Sequence, residues 1–180
     1  MNFDDLDYLM RGNQKQRAIF DLLIRNHVMT SLQEFDPILV GTFPINIDIE
    51  TSDLDIICYW KNKNKFISLV QNQFGTNDKF SLKETTISGN ETVVASFEID
   101  HYAFEIFGQN IPVRNQYAYR HMMAEYEILK SKGEDFRKQV VELKKNGLKT
   151  EPAFAQLLGL KQDPYEELLT YIPVNNPDRI

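Results

Sequence analysis

The sequence predicts an α/β (α+β) fold, a small mixed β-sheet with flanking helices that is followed by a helical C-terminal tail. Three observations carry this expectation. Apolar residues recur at helical spacing near the N-terminus, in Ile19, Leu22 and Leu23. Short runs rich in β-branched and aromatic residues then fill the stretch from Ile38 to Phe107. The helical period returns at Asn115 and persists. A chain of 180 residues has room for one proper core and hardly for two, so residues 1–180 are expected to form one unit. Its core is placed at about 14–130 and its helical tail at about 134–172.

The elements follow in order. Gln14 to His27 reads as a helix, capped by Asn13 with Gln16 in the capping-box position. Asp36-Pro37 reads as a turn, and Ile38-Leu39-Val40 as a short buried strand that ends at Gly41. Phe43 to Ser52 is irregular. Asp53 to Trp60 is too short for a typical helix and reads as an inner strand whose first residues are acidic. Lys61 to Lys65 is expected as a basic turn, and Phe66 to Phe74 as an amphipathic helix stopped by Gly75. Lys83–Ile87, Thr92–Ile99 and Tyr102–Phe107 read as strands joined by tight turns at Gly89-Asn90 and Asp100-His101. Ala118, Met122, Tyr126 and Leu129 give one face of a long helix that ends at Gly133. Three more helices follow: Glu134 to Asn146, Glu151 to Leu158, and one opened by Asp163-Pro164 with Pro173 beyond its end.

Composition narrows the function classes. With 42% hydrophobic and 26% charged residues the chain is globular by default, not disordered. The formal net charge of −6 argues against a general grip on nucleic acid, whose affinity comes from Lys and Arg on phosphates. The one cysteine, Cys58, sits in an apolar run and reads as a buried thiol. The acidic start (Asp4, Asp5, Asp7) is unlike a signal peptide, and no apolar stretch reaches membrane-spanning length, so a cytoplasmic protein is expected.

The chemistry centres on Asp53 and Asp55. Two residues apart on a strand, their carboxylates share one face with Cα atoms roughly 6.6 Å apart, while Leu54 and Ile56 point into the core. Nothing basic adjoins them in sequence, and a divalent cation would remove their repulsion. The plain alternative is two idle acids at a sheet end. Asp48 and Glu50 repeat the spacing, but in a loop without a β-like continuation, where solvation is the better reading.

Val40-Gly41-Thr42 followed by Ser52-Asp53-Leu54-Asp55-Ile56 resembles the signature of the DNA polymerase β-like nucleotidyltransferase superfamily. Phe107-Gly108-Gln109, Ala118-Tyr119-Arg120-His121-Met122 and Thr150-Glu151-Pro152-Ala153-Phe154 further resemble an uncharacterised bacterial family, a domain of unknown function related to these transferases. That likeness spans almost the whole chain and names no substrate.

The resemblance implies a nucleotidyltransferase-type sheet and a site. Asp53 and Asp55 would hold two Mg2+ ions, or Mn2+ in their place, together with a third carboxylate from a neighbouring strand. Glu105 and Glu98 both fit, with identical apolar flanks. Glu105 is preferred, because it lies on the last strand before the long helix, where the superfamily places this residue. Gly41, Thr42 and Ser52 would meet the phosphates through backbone and hydroxyl donors. Arg120 and His121 are candidates for the triphosphate. Their plain alternative is a surface His121/Glu125 pair with Arg120 lying over the core. The expected reaction moves a nucleoside monophosphate from a nucleoside triphosphate to a hydroxyl on a small acceptor. Two alternatives stay open. One is a degenerate module that binds without catalysis, since Phe43–Thr51 lacks the basic residue often found there. The other is a transferase acting on a tRNA end or a protein side chain.

Overall fold

A computed structural model describes residues 1–172. A five-stranded mixed sheet forms its centre, in the order β1-β2-β5-β4-β3. The strands are β1 (Ile38–Val40), β2 (Leu54–Tyr59), β3 (Asp78–Ile87), β4 (Asn90–Ile99) and β5 (Tyr102–Gln109). β2 runs parallel to β5, and every other pairing is antiparallel. The helices are α1 (Asp7–Met10), α2 (Gln14–Arg25), α3 (Val28–Ser31), α4 (Lys63–Phe74), α5 (Tyr117–Lys132), α6 (Glu134–Lys145), α7 (Thr150–Leu158) and α8 (Pro164–Thr170). The α/β expectation therefore holds. Pro173 lies outside the described residues.

Local chemistry explains most boundaries. Asn13 and Gln16 form the reciprocal capping box that starts α2. The Asn62 side chain accepts a hydrogen bond from the Lys65 amide, so α4 begins at Lys63 inside the expected basic turn. β3 begins at Asp78, five residues before the expected start; it is an exposed edge strand whose polar residues hide the period. α1 and α3 are single turns, too short to leave a periodic signal.

The two faces of the sheet have different work. On one, Leu54, Ile56, Phe104 and Ile106 are fully buried under α4. Phe66 of α4 lies so close to Gly108 that a Cβ there would clash with its ring. Phe74, Phe97 and Phe104 continue this layer as a stack, with centroids 4.9 and 5.1 Å apart. The other face carries Asp55 and Glu105 and lies toward α5, α6 and α7. Val140, Ala153, Phe154 and Leu168 of the later helices join the same hydrophobic cluster as the strands.

The segment between β1 and β2 is irregular but well anchored. Phe43, Ile45 and Ile47 are buried. The buried Gln16 side chain donates to the Phe43 carbonyl at 2.9 Å, satisfying backbone that no strand pairs. From the far end of the chain, Arg137 donates to the Asn46 carbonyl at 3.0 Å and Lys144 to the Ile47 carbonyl at 2.8 Å. Asp48 is not solvated as expected: its side chain is 7% exposed and ion-paired with Lys15 at 2.5 Å. Glu50 is exposed.

Candidate functional site

Strand register builds the first cluster. Asp55 on β2 lies opposite Glu105 on parallel β5 and opposite Val40 on β1. Partners across a parallel ladder share a face about 4.8 Å apart, so the Asp55 and Glu105 carboxylates stand side by side. Asp53 sits just before β2 and reaches the same point. Each of the three acids places an oxygen within 4.8 Å of the others. Glu98 is elsewhere: it pairs with Ala103 across the ladder and forms an ion pair with Lys79 at 2.6 Å. The Ser96 hydroxyl donates to Glu105 at 3.2 Å and steadies its carboxylate.

Gly41 is what lets Asp55 sit there. Its φ of +77° lies in the left-handed region, and a Cβ at this position would collide with the Asp55 carboxylate. Burial pushes the Asp55 carboxyl up to about 8, with the nearby Asp53 and Glu105 charges adding to the effect and Lys144 opposing it. Three converging carboxylates with one held near-neutral are a set of hard oxygen donors suited to a divalent cation.

A cleft of about 500 Å³ opens beside this cluster, walled by Gly41, Thr42 and Ser52 on one side and by α5, α6 and the start of α7 on the other. Ser52 uses its hydroxyl locally, accepting from the Ile49 amide at 2.9 Å, while the Thr42 carbonyl accepts from the Ile47 amide. Both help shape the loop that carries the cleft wall.

The long helix corrects two expectations. Met122, Tyr126 and Leu129 of the expected face do pack on the core, but Ala118 is exposed at the cleft edge, and His121, Glu125 and Ile128 are buried with Met122. His121 and Glu125 are thus not a surface pair; they point into the cleft, 8% and 3% exposed. Arg120 is one residue away, about 100° around the helix. It is exposed, lies over the Tyr117 ring, and lines a separate groove with Tyr119 and Met123. The structure does not bring it to the acids.

Residues without an expected role complete the cleft: Glu125, Lys144, Lys149, Thr150 and Glu151. Burial lowers the pKa of His121 and raises that of Glu125 well above the usual range. Burial also lowers Lys144, against the pull of Glu125, Asp48 and Glu151. Lys144, Lys145 and Lys149 read in sequence as a weak basic group at a helix end. The missed signal was Lys144 at i+4 from Val140, which puts it on the inward stripe of α6.

The model of a family described as "Domain of unknown function (DUF4269)" matches residues 21–171. The chain belongs to the DUF4269 family. Curated protein sequences include no match. Among solved structures, this DUF4269 chain is similar to the Cid1 poly(U) polymerase in a mutant form bound to MgATP, with a TM-score of 0.53, 10% identity, 86% of this chain and 47% of that one covered. A second Cid1 structure, with Mg 3'-dATP bound, gives a TM-score of 0.52, 9% identity and coverages of 91% and 52%. The polymerase core of TRAMP, an RNA surveillance complex, gives 0.50, 14% identity, 88% and 57%. These neighbours are polymerase β-like nucleotidyltransferases, and the likeness shows that the DUF4269 chain has their fold. It spans roughly half the length of these polymerases. Among the described residues, no helix is long and apolar enough to cross a membrane.

Proposed function

We propose that the chain is a metal-dependent nucleotidyltransferase that moves a nucleoside monophosphate from a nucleoside triphosphate to a hydroxyl on a small acceptor. The observation that carries this reading is the convergence of Asp53, Asp55 and Glu105 beside the Gly41 turn, at a cleft of ligand size. Asp53 and Asp55 would hold two Mg2+ or Mn2+ ions, with Glu105 joining them on the second. When bound, the cations neutralise phosphate charge and acidify the attacking hydroxyl.

The residues of the chain do the positioning. Gly41 and Thr42 present backbone and hydroxyl donors to the phosphates, and Lys144 and Lys149 supply the cationic groups that the loop itself lacks. The acceptor oxygen forms a bond to the α-phosphorus as the bond to the bridging oxygen breaks, and pyrophosphate leaves with that electron pair. Glu105, held by Ser96, accepts the proton of the hydroxyl. His121 lines the acceptor side of the cleft.

A small acceptor is favoured by charge. Lys63 is ion-paired with Glu84 and Glu91, and Lys65 with Glu34, so the densest basic run of the sequence offers no free track for a phosphate backbone.

Calorimetric titration with a non-hydrolysable triphosphate and Mg2+ tests the site. Asp53→Asn and Asp55→Asn should each weaken binding by about 10²-fold or more, the scale of losing one preorganised electrostatic partner. Glu105→Gln should weaken it by at least about 10-fold, and Glu98→Gln should leave it unchanged. Unaltered affinity in either aspartate variant, or a loss in Glu98→Gln, would sink the assignment. Tight RNA binding at physiological salt would move the acceptor to a polymer end.

A further inference from the structure

A second group of donors sits in the same cleft, outside the aspartate cluster. α5 presents His121 and Glu125 one turn apart, and the first turn of α7 presents Glu151 toward them. Each offers one ligand atom, and these atoms lie within 4.8 Å of one another. His121 is 8% exposed, and its Nδ1 is enclosed without a hydrogen-bond partner among the described residues. Glu125 is 3% exposed and has neither a hydrogen bond nor an ion pair there. Lys144, whose charge acts on Glu125, donates to the Ile47 carbonyl at 2.8 Å and forms no ion pair with either glutamate. Enclosed polar groups normally find partners, and groups without one are costly. Here an imidazole and two carboxylates face one another, and among the described residues no Lys or Arg is ion-paired with any of them.

The geometry points to a divalent metal site of the Zn2+ class at His121, Glu125 and Glu151, separate from the hard-oxygen site at Asp53, Asp55 and Glu105. The donor set decides the class: an imidazole with two carboxylates suits Zn2+, whereas oxygen-only sets suit Mg2+. Spacing of i, i+4 on one helix plus a third ligand from another element is a sound frame for three protein ligands. All three residues line the cleft, so the fourth position opens into it and takes water or an oxygen of a bound ligand. Tyr117 lies nearly parallel to the His121 ring at 6.2 Å, and Tyr165 meets it edge-on at 6.0 Å. Both restrict its rotation. This inference is independent of the nucleotidyl-transfer reading, because none of its ligands belongs to the aspartate cluster.

The test uses Zn2+ alone as the probe. It is titrated calorimetrically into the full chain, with Mg2+ in excess to occupy the hard-oxygen cluster. One Zn2+ per chain should bind, with unchanged affinity in Asp53→Asn. His121→Ala and Glu151→Gln should each weaken it by at least about 10-fold. Circular dichroism checks that His121→Ala folds; Glu151→Gln preserves side-chain shape and decides the matter if it does not. Three results overturn the site: no Zn2+ binding, binding lost in Asp53→Asn but kept in His121→Ala, or equal affinity in all variants. The last would assign the ion to the exposed His27 or His101.

Discussion

The two clusters of the cleft are assembled by different means. Asp55 and Glu105 come from adjacent strands, where one register fixes both positions, and Asp53 follows from its place beside Asp55. His121, Glu125 and Glu151 come from helices that meet only after the chain has folded back on itself. In the sheet cluster, like charges are forced together by the backbone ladder, and the cost falls on Asp55, the carboxyl pushed up to about 8. In the helix cluster, side chains are brought together by packing, and the cost falls on the His121 Nδ1, enclosed without a partner among the described residues. A ladder fixes the spacing of its ligands through the backbone, whereas in the helix cluster side-chain packing does so, with Tyr117 and Tyr165 against the His121 ring.

The largest effect that separates the clusters is proton linkage at Asp55. Its folded-state pKa lies above the ordinary aspartate range, so the cation-free fold keeps a proton that the unfolded chain releases. The stability that comes from this neutral form is present at acidic pH and is lost as pH rises toward about 8. A cation must displace the proton, so Mg2+ affinity should rise by about tenfold per pH unit until the carboxyl is ionised, then level off. Titrations on both sides of pH 8 measure this. A flat profile would break the account of the sheet cluster.

A smaller effect tests whether the clusters are independent. Gly41→Ala puts a side chain on a backbone of φ +77° and into the Asp55 carboxylate. The left-handed conformation alone costs about 1–2 kcal/mol, which lowers Tm by about 2–4 °C per kcal/mol in a domain of this size. Mg2+ affinity should fall along with it, and the Zn2+ affinity of the helix cluster should not. A parallel loss of both would mean that the two clusters are one coupled site.

The contrast also explains what the sequence made legible. Asp53 and Asp55 stand out because period two is visible in the chain itself, and Gly41 is found because it ends a run of three apolar residues. Glu105 could be preferred over Glu98 only through family resemblance, since both have apolar flanks; the ladder register separates them. His121 and Glu125 were hidden in plain view. Spacing of i, i+4 serves a solvated pair and a buried one equally well, and the difference is which way α5 rolls. That roll goes with the packing of α5 against elements as distant in sequence as α6 and α8, and no local pattern encodes it. Arg120, one residue before His121, is turned away from the acids by about 100° of helix. Lys144 looked like a helix-end cation because its burial depends on the loop it clasps, 97 residues earlier.

That clasp has a consequence for the order of events. Arg137 and Lys144 secure the carbonyls of Asn46 and Ile47 across 91 and 97 residues of chain. The sheet can pair through contacts of shorter span, but the cleft wall cannot take its final shape until α6 docks. Folding should therefore be staggered, with an early sheet and a late pocket. The amide of Ile47, bonded within the loop to the Thr42 carbonyl, is the reporter. In pulse-labelled refolding its exchange protection should appear after that of β2 and together with that of α6. Protection at Ile47 in step with β2 would show that the loop closes without its clasp. A chain built this way matures its binding pocket last, so molecules stalled before α6 docks would have a formed sheet with its paired acids and no finished cleft.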